Sequence, residues 1–387
     1  MAIGVVKNES SLALVEEVTE GTWVAPSGAA DFVELKSDGA SANLERDQLS
    51  RDLLSSTVET ESSRLGLKNV TAEMGFELRA NSTAGGSPVD LNLPLNSLLG
   101  GKRTAVTDTT TTGNTSTILE FGAAPPFSKG DSVLVKEAGA YEVRPISAVG
   151  ATTITFPFAL DNGAPSDGVV VEAVTTYFHD TSSAVSLSAE WNMGGKIQEQ
   201  ISGLKAASGS IADWGVGSLP SFNFSMQGTD LDRVVSAATA SPAANSALPP
   251  VTLDACAWLS GVKLEYSEFS MTIENTLAAI NSACSENGRI SSRITAQSVT
   301  ASINPYLEDD DVDRFTDFNL NNDVSLFVYA FNPTAVAGEF EQAVAIWLPQ
   351  GKITADPAAD VEGIFADGLE IKAHRSAGND SVFLSFI

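Results

Sequence analysis

Apolar and polar residues alternate over many short stretches of this chain. SLALVEEVT (11–19), LKNVTAEMGFELRAN (67–81) and LPSFNFSMQGTD (219–230) place apolar side chains at every second position over much of their length. A period of two predicts β-strands that bury one face in a core and leave the other in water. Long helical patterns are scarce, whereas Val and Thr, which favour strands, are abundant. The pattern predicts an all-β protein.

A few regions depart from this alternation. VDLNLPLNSLLGG (89–101) predicts a short helix that ends at a glycine pair. Residues 46–66 are rich in charge and weakly periodic, which is typical of a long functional or disordered loop. Residues 235–250 are rich in Ala, Ser and Pro and predict a second exposed loop or linker. We therefore expect an all-β fold with one or two short helices.

A break in composition divides the chain. TAVTDTTTTGNTST (104–117) is small, polar and rich in Thr, and four short strands separated by turns follow it. Strands at this spacing are typical of a small barrel or sandwich. We predict a β domain built from residues 1–104 and 179–387, with a small β-barrel or sandwich domain inserted at 105–178.

The charge of the chain excludes some functions. The 387 residues include 49 acidic and 22 basic ones, which gives a formal charge of −27. Nucleic-acid phosphates are bound by Lys and Arg, so a DNA- or RNA-binding groove is not expected. Cys256 and Cys284 are too few for a disulfide framework or a cysteine metal site. They predict two buried free thiols in a reducing compartment. The apolar runs are too short for a membrane span.

The motifs that carry common enzyme chemistry do not occur. His179 and His374 are the only histidines, and no Gly-x-Ser-x-Gly turn is present. Gly-Gly-Lys at 100–102 and at 194–196 lacks the spacing of a phosphate-binding loop and predicts turns. Paired glycosidase carboxylates stay open, because their separation is set in three dimensions. We expect no catalytic residue and no cofactor.

The most charged stretch is NPYLEDDDVDRF (304–315). An EF-hand calcium loop that began at Asp309 would need Gly at position 314 and Glu at position 320. The chain has Arg314 and Leu320 there, so this type of calcium site is excluded and other calcium loops stay open. We expect a solvated acidic turn between strands, with no metal.

Several segments together resemble a known family, the major tail tube proteins of bacteriophages with long, non-contractile tails (siphophages). The resemblance covers nearly the whole chain except 105–178. It is carried by EEVTEGTWVAP (16–26), DFVELKSDGASANLERDQL (31–49), LGLKNVTAEMGFELRAN (65–81), LSGVKLEYSEFSMTIENTL (259–277), SVTASINPYLEDDD (298–311), LFVYAFNP (326–333) and AVAIWLPQGKIT (343–354).

The resemblance implies a β-sandwich or barrel subunit that has a structural role without catalysis. Six subunits would join edge to edge into a ring, and rings would stack into a tube with an electronegative lumen that conducts DNA during ejection. The implied partners are further copies of the chain, the tape-measure, tail terminator and distal tail proteins, and passing DNA, with no membrane. The protein would lie in the virion tail after assembly in the bacterial host cytoplasm, with 105–178 facing outward.

In that family a long loop after the second strand reaches towards the neighbouring ring. Here the corresponding loop would span residues 44–64. Its charged residues would be the candidates for inter-ring contacts: Arg46, Asp47, Arg51, Asp52, Glu59, Glu61 and Arg64. Two other classes stay open at this point. They are another self-assembling virion or surface protein, such as a decoration or sheath component, and a carbohydrate-binding or carbohydrate-active β-sandwich.

Overall fold

The fold is almost entirely β. The computed structural model describes residues 10–36, 39–51, 62–80, 85–137, 140–239, 248–253, 255–285, 287–307, 313–332, 342–361 and 363–387. Within these ranges there are 27 strands, the helices Asn92–Leu98 (α1) and Asp313–Leu320 (α2), and one 3-10 turn at Ala29–Asp31. The predicted all-β class with one or two short helices is confirmed, and α1 lies inside the predicted helical segment.

The strands are named in chain order. They are Ser11–Glu16 (β1), Phe32–Val33 (β2), Ala40–Leu49 (β3), Arg64–Glu77 (β4), Gly100–Ala105 (β5), Asp108–Thr109 (β6), Ile118–Glu120 (β7), Ser132–Glu137 (β8), Ala140–Pro145 (β9), Ala148–Val149 (β10), Thr153–Thr155 (β11), Val170–Val171 (β12), Val174–His179 (β13), Leu187–Met193 (β14), Ile197–Gly215 (β15), Ser221–Gly228 (β16), Asp230–Val235 (β17), Cys256–Leu259 (β18), Val262–Leu264 (β19), Tyr266–Asn281 (β20), Arg289–Pro305 (β21), Val324–Asn332 (β22), Gln342–Ala355 (β23), Ala358–Val361 (β24), Ile364–Asp367 (β25), Leu369–Ala373 (β26) and Phe383–Phe386 (β27).

Eighteen of these strands form one antiparallel sheet that bends into two layers. One layer runs β3-β4-β16-β15-β20-β21-β26-β23. The first part of β15 pairs instead with β14 and β17. The strand changes layer at Gly203, whose φ is +68° and where a Cβ atom would lie 2.4 Å from Thr229 Oγ1. Only glycine fits this bend, and the buried Glu17 carboxylate accepts the Gly203 N–H at 2.7 Å.

The main core lies between the layers and is closed by α1. The helix buries Leu95 and Leu98 among phenylalanines of the sheet. Gly209 on β15 lets the helix approach, because a Cβ atom there would lie 2.5 Å from Leu98 Cδ2. The Asn275 side chain donates to the carbonyl oxygens of Leu98 and Ala206, at 2.8 and 3.1 Å, and so ties the helix end to β15.

A second core lies on the outer side of β22 and β23. Leu326 and Val328 of β22 point into the main core, whereas Phe327 and Tyr329 point into this second core. β22 is therefore buried on both faces, which explains its continuous apolar sequence. The second core is shared with the inserted segment, whose Phe158 stacks on Trp258 of β18 with ring centroids 5.4 Å apart.

The inserted segment enters and leaves through one hairpin. Ala105 of β5 lies opposite Val174 of β13, so residues 106–173 replace a hairpin turn. They include a three-stranded and a four-stranded sheet. β13 also pairs with β27 and so belongs to the large sheet. The limits at 105 and 178 stay a prediction, and strand pairing places 174–179 with the large sheet.

Some predictions for single residues can be checked. Trp214, Trp258 and Trp347 are buried and anchor the cores. The prediction of two buried thiols is wrong for Cys284, which is exposed in the turn between β20 and β21, and Cys256 is half-buried. Across the described residues, no helix is long and apolar enough to span a membrane.

Candidate channel wall and assembly ends

One face of the large sheet is polar across five neighbouring strands. Across β4, β16, β15, β20 and β21 the core face carries Met, Phe, Ile and Val, while the opposite face carries Ser, Thr, Asn and Glu. Strand alternation produces this two-sided surface. We call the second surface the polar face. Its members include Thr71, Glu73, Glu77, Asn223, Ser225, Ser208, Ser210, Glu268, Ser270, Thr272, Glu274, Ser298, Thr300, Ser302, Glu370 and Lys372.

Strand register arranges these side chains in rows. One row crosses five strands in the order Glu73, Ser225, Ser208, Glu274 and Ser298. Neighbouring strands are about 4.8 Å apart, so the two glutamates of this row are separated by about 14 Å. The residues between them are serines. The face therefore presents spaced carboxylates on a neutral hydroxyl surface.

The sheet has a long open edge. β3 has ten residues, and among the described strands it pairs with β4 alone. An unpaired strand of this length offers a row of backbone N–H and C=O groups that a strand of another chain can pair with. Ala40–Leu49 is thus a candidate lateral assembly edge.

Two hairpins extend beyond the sheet at one end. β16 pairs with β4 from Val70 to Glu77, so residues 64–69 of β4 and 45–49 of β3 form a two-stranded projection, the first arm. Residues 275–281 of β20 and 289–297 of β21 form the second arm. The arms touch, since a Cβ atom on Gly288 would lie 2.2 Å from Leu67 Cδ2.

A charged cluster holds the second arm against the turn after β1. Lys205 Nζ is buried and donates to Glu20 Oε2 at 2.9 Å and to the Ser292 carbonyl at 2.7 Å. Arg293 Nη1 donates to the same Glu20 oxygen at 2.6 Å. Burial raises the pKa of Glu20, but the hydrogen bonds from the Ser292 N–H, Lys205 and Arg293 outweigh it and lower the pKa overall. Glu20 therefore stays ionised at neutral pH.

The opposite ends of the same strands form a second surface. We call it the rim; it is formed by the ends of β4, β15 and β21, the starts of β20 and β26, and the adjoining turns. Hydrogen bonds join its parts: the Tyr306 N–H donates to the Glu265 carbonyl, and the Leu307 N–H to the Phe365 carbonyl. Trp214 Nε1 donates to the Tyr266 hydroxyl at 3.0 Å. Burial raises the pKa of Tyr266, so this hydroxyl stays protonated.

Comparison with known proteins decides the family. The family described as "Phage tail tube protein" matches residues 7–369, which is nearly the whole chain. The chain belongs to the phage tail tube protein family. Among curated proteins, none matches the chain. The tail tube family is structural and not enzymatic, and its members lie in the virion tail. The match confirms the resemblance drawn from the sequence and does not support the carbohydrate-binding alternative.

The structure places three of the seven candidate inter-ring residues of this tail tube protein, Arg46, Asp47 and Arg64, on the first arm. Arg46 and Asp47 lie on β3, Arg51 follows it, and Arg64 begins β4. The expectation of a loop over 44–64 is wrong at both ends, because residues 44–49 and 64 are paired strand. Charged residues at the end of this projecting hairpin hide the alternation of apolar and polar positions that would have predicted strands. Asp52, Glu59 and Glu61 lie outside the described residues, and the contact role of all seven stays a prediction.

Sequence reasoning missed two parts of the assembly ends. The sequence pattern did not distinguish the second arm from ordinary strands of the sheet, and it did not identify the exposed apolar residues of the arms, such as Leu65 and Ile290. The sequence does contain a signal for these residues, because each stands next to an arginine, Arg64 or Arg289. Within the described part of the chain, no group of three or more His, Cys, Asp or Glu side chains is placed to hold a metal. Most of the acidic run 308–313 falls outside that part.

Proposed function

We propose that six copies of this tail tube protein join edge to edge into a ring, and that stacked rings enclose a channel for DNA during ejection. The observation that carries the proposal is the polar face, a wide sheet surface backed by a dense core. Its charged members on β4, β20 and β26 are the five glutamates Glu73, Glu77, Glu268, Glu274 and Glu370 and one lysine, Lys372. Two further lysines lie at its margins and are paired, Lys205 with Glu20 and Lys352 with Asp323. We infer that this face lines the channel.

The electrostatics of such a wall suit a conduit. Proteins hold DNA by placing Lys and Arg on its phosphates, and each such contact strengthens binding. Carboxylates separated by neutral hydroxyls repel phosphates and offer no site at which DNA would be held. Screening limits the repulsion to about 8 Å at physiological salt, so only residues on the wall itself matter. Glu73 and Glu274 lie in one row of this wall.

Ring closure also explains the open edge of β3. A closed ring gives each edge strand a partner and removes the risk of uncontrolled edge pairing. Residues 106–173, attached behind β22 and β23, then lie on the outside of the tube, away from the polar face. The proposal includes a non-contractile tail, assembly in the host cytoplasm, and contacts with tape-measure, tail terminator and distal tail proteins.

Selective labelling tests which face lines the channel. In a variant with Cys256 and Cys284 replaced by Ser, we would introduce Ser225→Cys on the polar face or, as a matched control, Asp167→Cys on the inserted segment. A maleimide carried on a large protein cannot enter a tube. We expect the Ser225→Cys protein to react as dissociated subunits and not as tubes, while the Asp167→Cys protein reacts in both states.

Two results would contradict the proposal. The first is equal reaction of the two cysteines in assembled tubes, which would place the polar face outside. The second is a purified protein that shows no six-fold rings or tubes by negative-stain microscopy at any concentration.

A further inference from the structure

We propose that the arm end of one copy binds the rim of a second copy head to tail, through apolar side chains exposed at both ends. Cations on the arms would face carboxylates on the rim. The inference rests on the proposed tube and names the surface that receives the arms. It also makes the axial contact mainly apolar, rather than a set of ion pairs alone.

The arms and the rim are opposite ends of the same strands. β4 runs from Arg64 on the first arm to Glu77 at the rim, and β20 runs back from Tyr266 at the rim to Asn281 on the second arm. Fourteen residues of extended strand span about 45 Å. A copy placed beyond the rim and in the same orientation would bring its arms to that rim.

Both ends expose large apolar side chains. On the arms, Leu49, Leu65 and Ile290 are 56%, 59% and 48% exposed. On the rim, Val216 and Phe365 are 69% and 71% exposed. Isolated exposed apolar residues are common, but such groups at two functional ends of one molecule mark contact surfaces. Further exposed apolar residues at these ends include Leu67 and Ile280 on the arms, and Leu219, Leu253, Leu307, Phe315 and Ile364 on the rim.

The charges of the two ends are complementary. Over residues 45–69 and 275–297 the sequence has six basic and six acidic residues, although the whole chain carries −27. In the described part of the arms, cations outnumber acids. Along the arms and directly after β3, the cations are Arg46, Arg51, Arg64, Lys68, Arg289 and Arg293, and the acids are Glu45 and Asp47. Lys68 and Arg293 are already paired, with Asp230 and Glu20, so the four arginines at 46, 51, 64 and 289 carry the cationic character.

At the rim most cations are already paired. Arg79 Nη2 lies 2.8 Å from Asp90 Oδ2, and Arg314 Nε lies 3.0 Å from Asp367 Oδ2. Lys36 Nζ lies 3.0 Å from Asp213 Oδ2. Lys263 is exposed at this end, and the rim also carries four glutamates that are not buried: Glu77, Glu265, Glu268 and Glu370. The rim is therefore acidic, whereas the arms are neutral over their full sequence and cationic along their described strands.

This complementarity identifies the occupant as a second copy of the chain. Two different surfaces at opposite ends of one molecule make a heterologous contact, which repeats in one direction without closing. Opposite charges orient such an encounter and disfavour rim-to-rim or arm-to-arm pairing. The apolar residues within the charges then supply the contact that excludes water.

Mixing of two blocked variants tests the head-to-tail contact. The rim variant carries Val216→Glu and Phe365→Glu, and the arm variant carries Leu65→Glu and Ile290→Glu. A matched control carries Val106→Glu and Val149→Glu, at positions 66% and 39% exposed outside both ends. Far-ultraviolet circular dichroism and melting curves verify that each variant is folded.

We expect each blocked variant alone to lose long polymers at least tenfold, since about 1.4 kcal/mol per contact already changes an association constant tenfold. Each should stop at single rings, while the control forms tubes like the wild type. A one-to-one mixture should give pairs of rings and no longer stacks, because the intact arms of one variant meet the intact rim of the other. Sedimentation velocity and negative-stain microscopy measure the stack lengths.

Long polymers from the rim variant would overturn this docking surface. So would a mixture that contains only single rings, which would assign the ends to other tail proteins. Failure of the wild-type protein to form any ring or tube would contradict the proposed function itself and is thereby distinguished from failure of the arm-to-rim contact.

Discussion

Arg144 joins an ion-paired cluster inside the inserted segment to Trp258 of the large sheet, and its replacement by Met should destabilise the protein by about 3 kcal/mol. The side chain is fully buried at the boundary between the segment and the large sheet. Its guanidinium lies over Trp258 of β18, with Cζ 4.6 Å from a ring centroid. Its Nη2 lies 3.0 Å from Glu142 Oε2 and 2.9 Å from Asp161 Oδ1.

The size of this destabilisation depends on which interactions each partner of Arg144 keeps after the replacement. Removal of one member of a buried ion pair costs about 3–5 kcal/mol when the other charge is stranded. Glu142 is not stranded, because it still accepts from the Asp161 and Asn162 N–H groups at 2.7 and 2.9 Å. Asp161 is half exposed and can be hydrated. The low end of the range applies, with the lost cation–π contact, about 2 kcal/mol when desolvated, included in it.

Urea unfolding followed by tryptophan fluorescence measures this difference in the free energy of unfolding. Lys263→Met is the matched control, because Lys263 Nζ lies 5.9 Å from the same Trp258 ring but is exposed. An exposed cation–π contact contributes about 0.5–1 kcal/mol. A cost below about 1 kcal/mol for Arg144→Met, or equal costs for the two variants, would refute the reasoning.

Three further predictions follow from the same contacts. Replacement of residues 106–173 by Asn-Gly should keep the β5–β13 hairpin but expose the aromatic second core, so soluble yield and melting temperature should both fall; an equally soluble and stable product would contradict the shared core. Gly209→Ala should cost about 1–3 kcal/mol in urea unfolding, because the new methyl group meets Leu98, and a neutral effect would show that α1 can move away. Burial and the neighbouring Asp367 raise the pKa of Asp356, so the folded protein holds the carboxyl proton of Asp356 more tightly than the unfolded chain does. The free energy of unfolding therefore falls as pH rises above about 3.8. Asp356→Asn should therefore raise the melting temperature more at pH 7 than at pH 4, and a lower melting temperature than the wild type at pH 7 would contradict this sign.

The sequence predicts strands well where burial is one-sided. In β4 and β16 every second residue faces the core, so the alternation of Met74 and Phe76, or of Phe222 and Phe224, is visible directly. The same logic gives the polar face, since its Ser, Thr and Glu residues are the other half of the pattern. The burial of β22 on both faces can also be predicted, because its sequence is a continuous apolar run.

Features that depend on distant parts of the chain are not visible in this way. β15 reads as separate alternating runs, because its change of layer at Gly203 is fixed by Glu17 and Thr229, which are far away in sequence. The shared second core brings Phe158 onto Trp258 across about a hundred residues. Periodicity reports which face of a strand is buried and does not report what covers it.

The arms show a third limit of prediction from the sequence. Hairpins that leave the sheet lose their one-sided burial, so the period of two fades just where strand pairing continues, as at Leu49 opposite Arg64. The charges in this region therefore favoured a loop. Only the pairing register reveals that both arms are extensions of core strands and share one end of the molecule.

The central claim is that the polar face of the large sheet lines the channel of a tube. An electron cryomicroscopy map of the assembled polymer measures this most directly. The account predicts a six-fold tube with the row of Glu73 and Glu274 on its inner wall and residues 106–173 on its outer surface. A channel lined by the inserted sheets, or a polar face turned outward or buried between subunits, would contradict it.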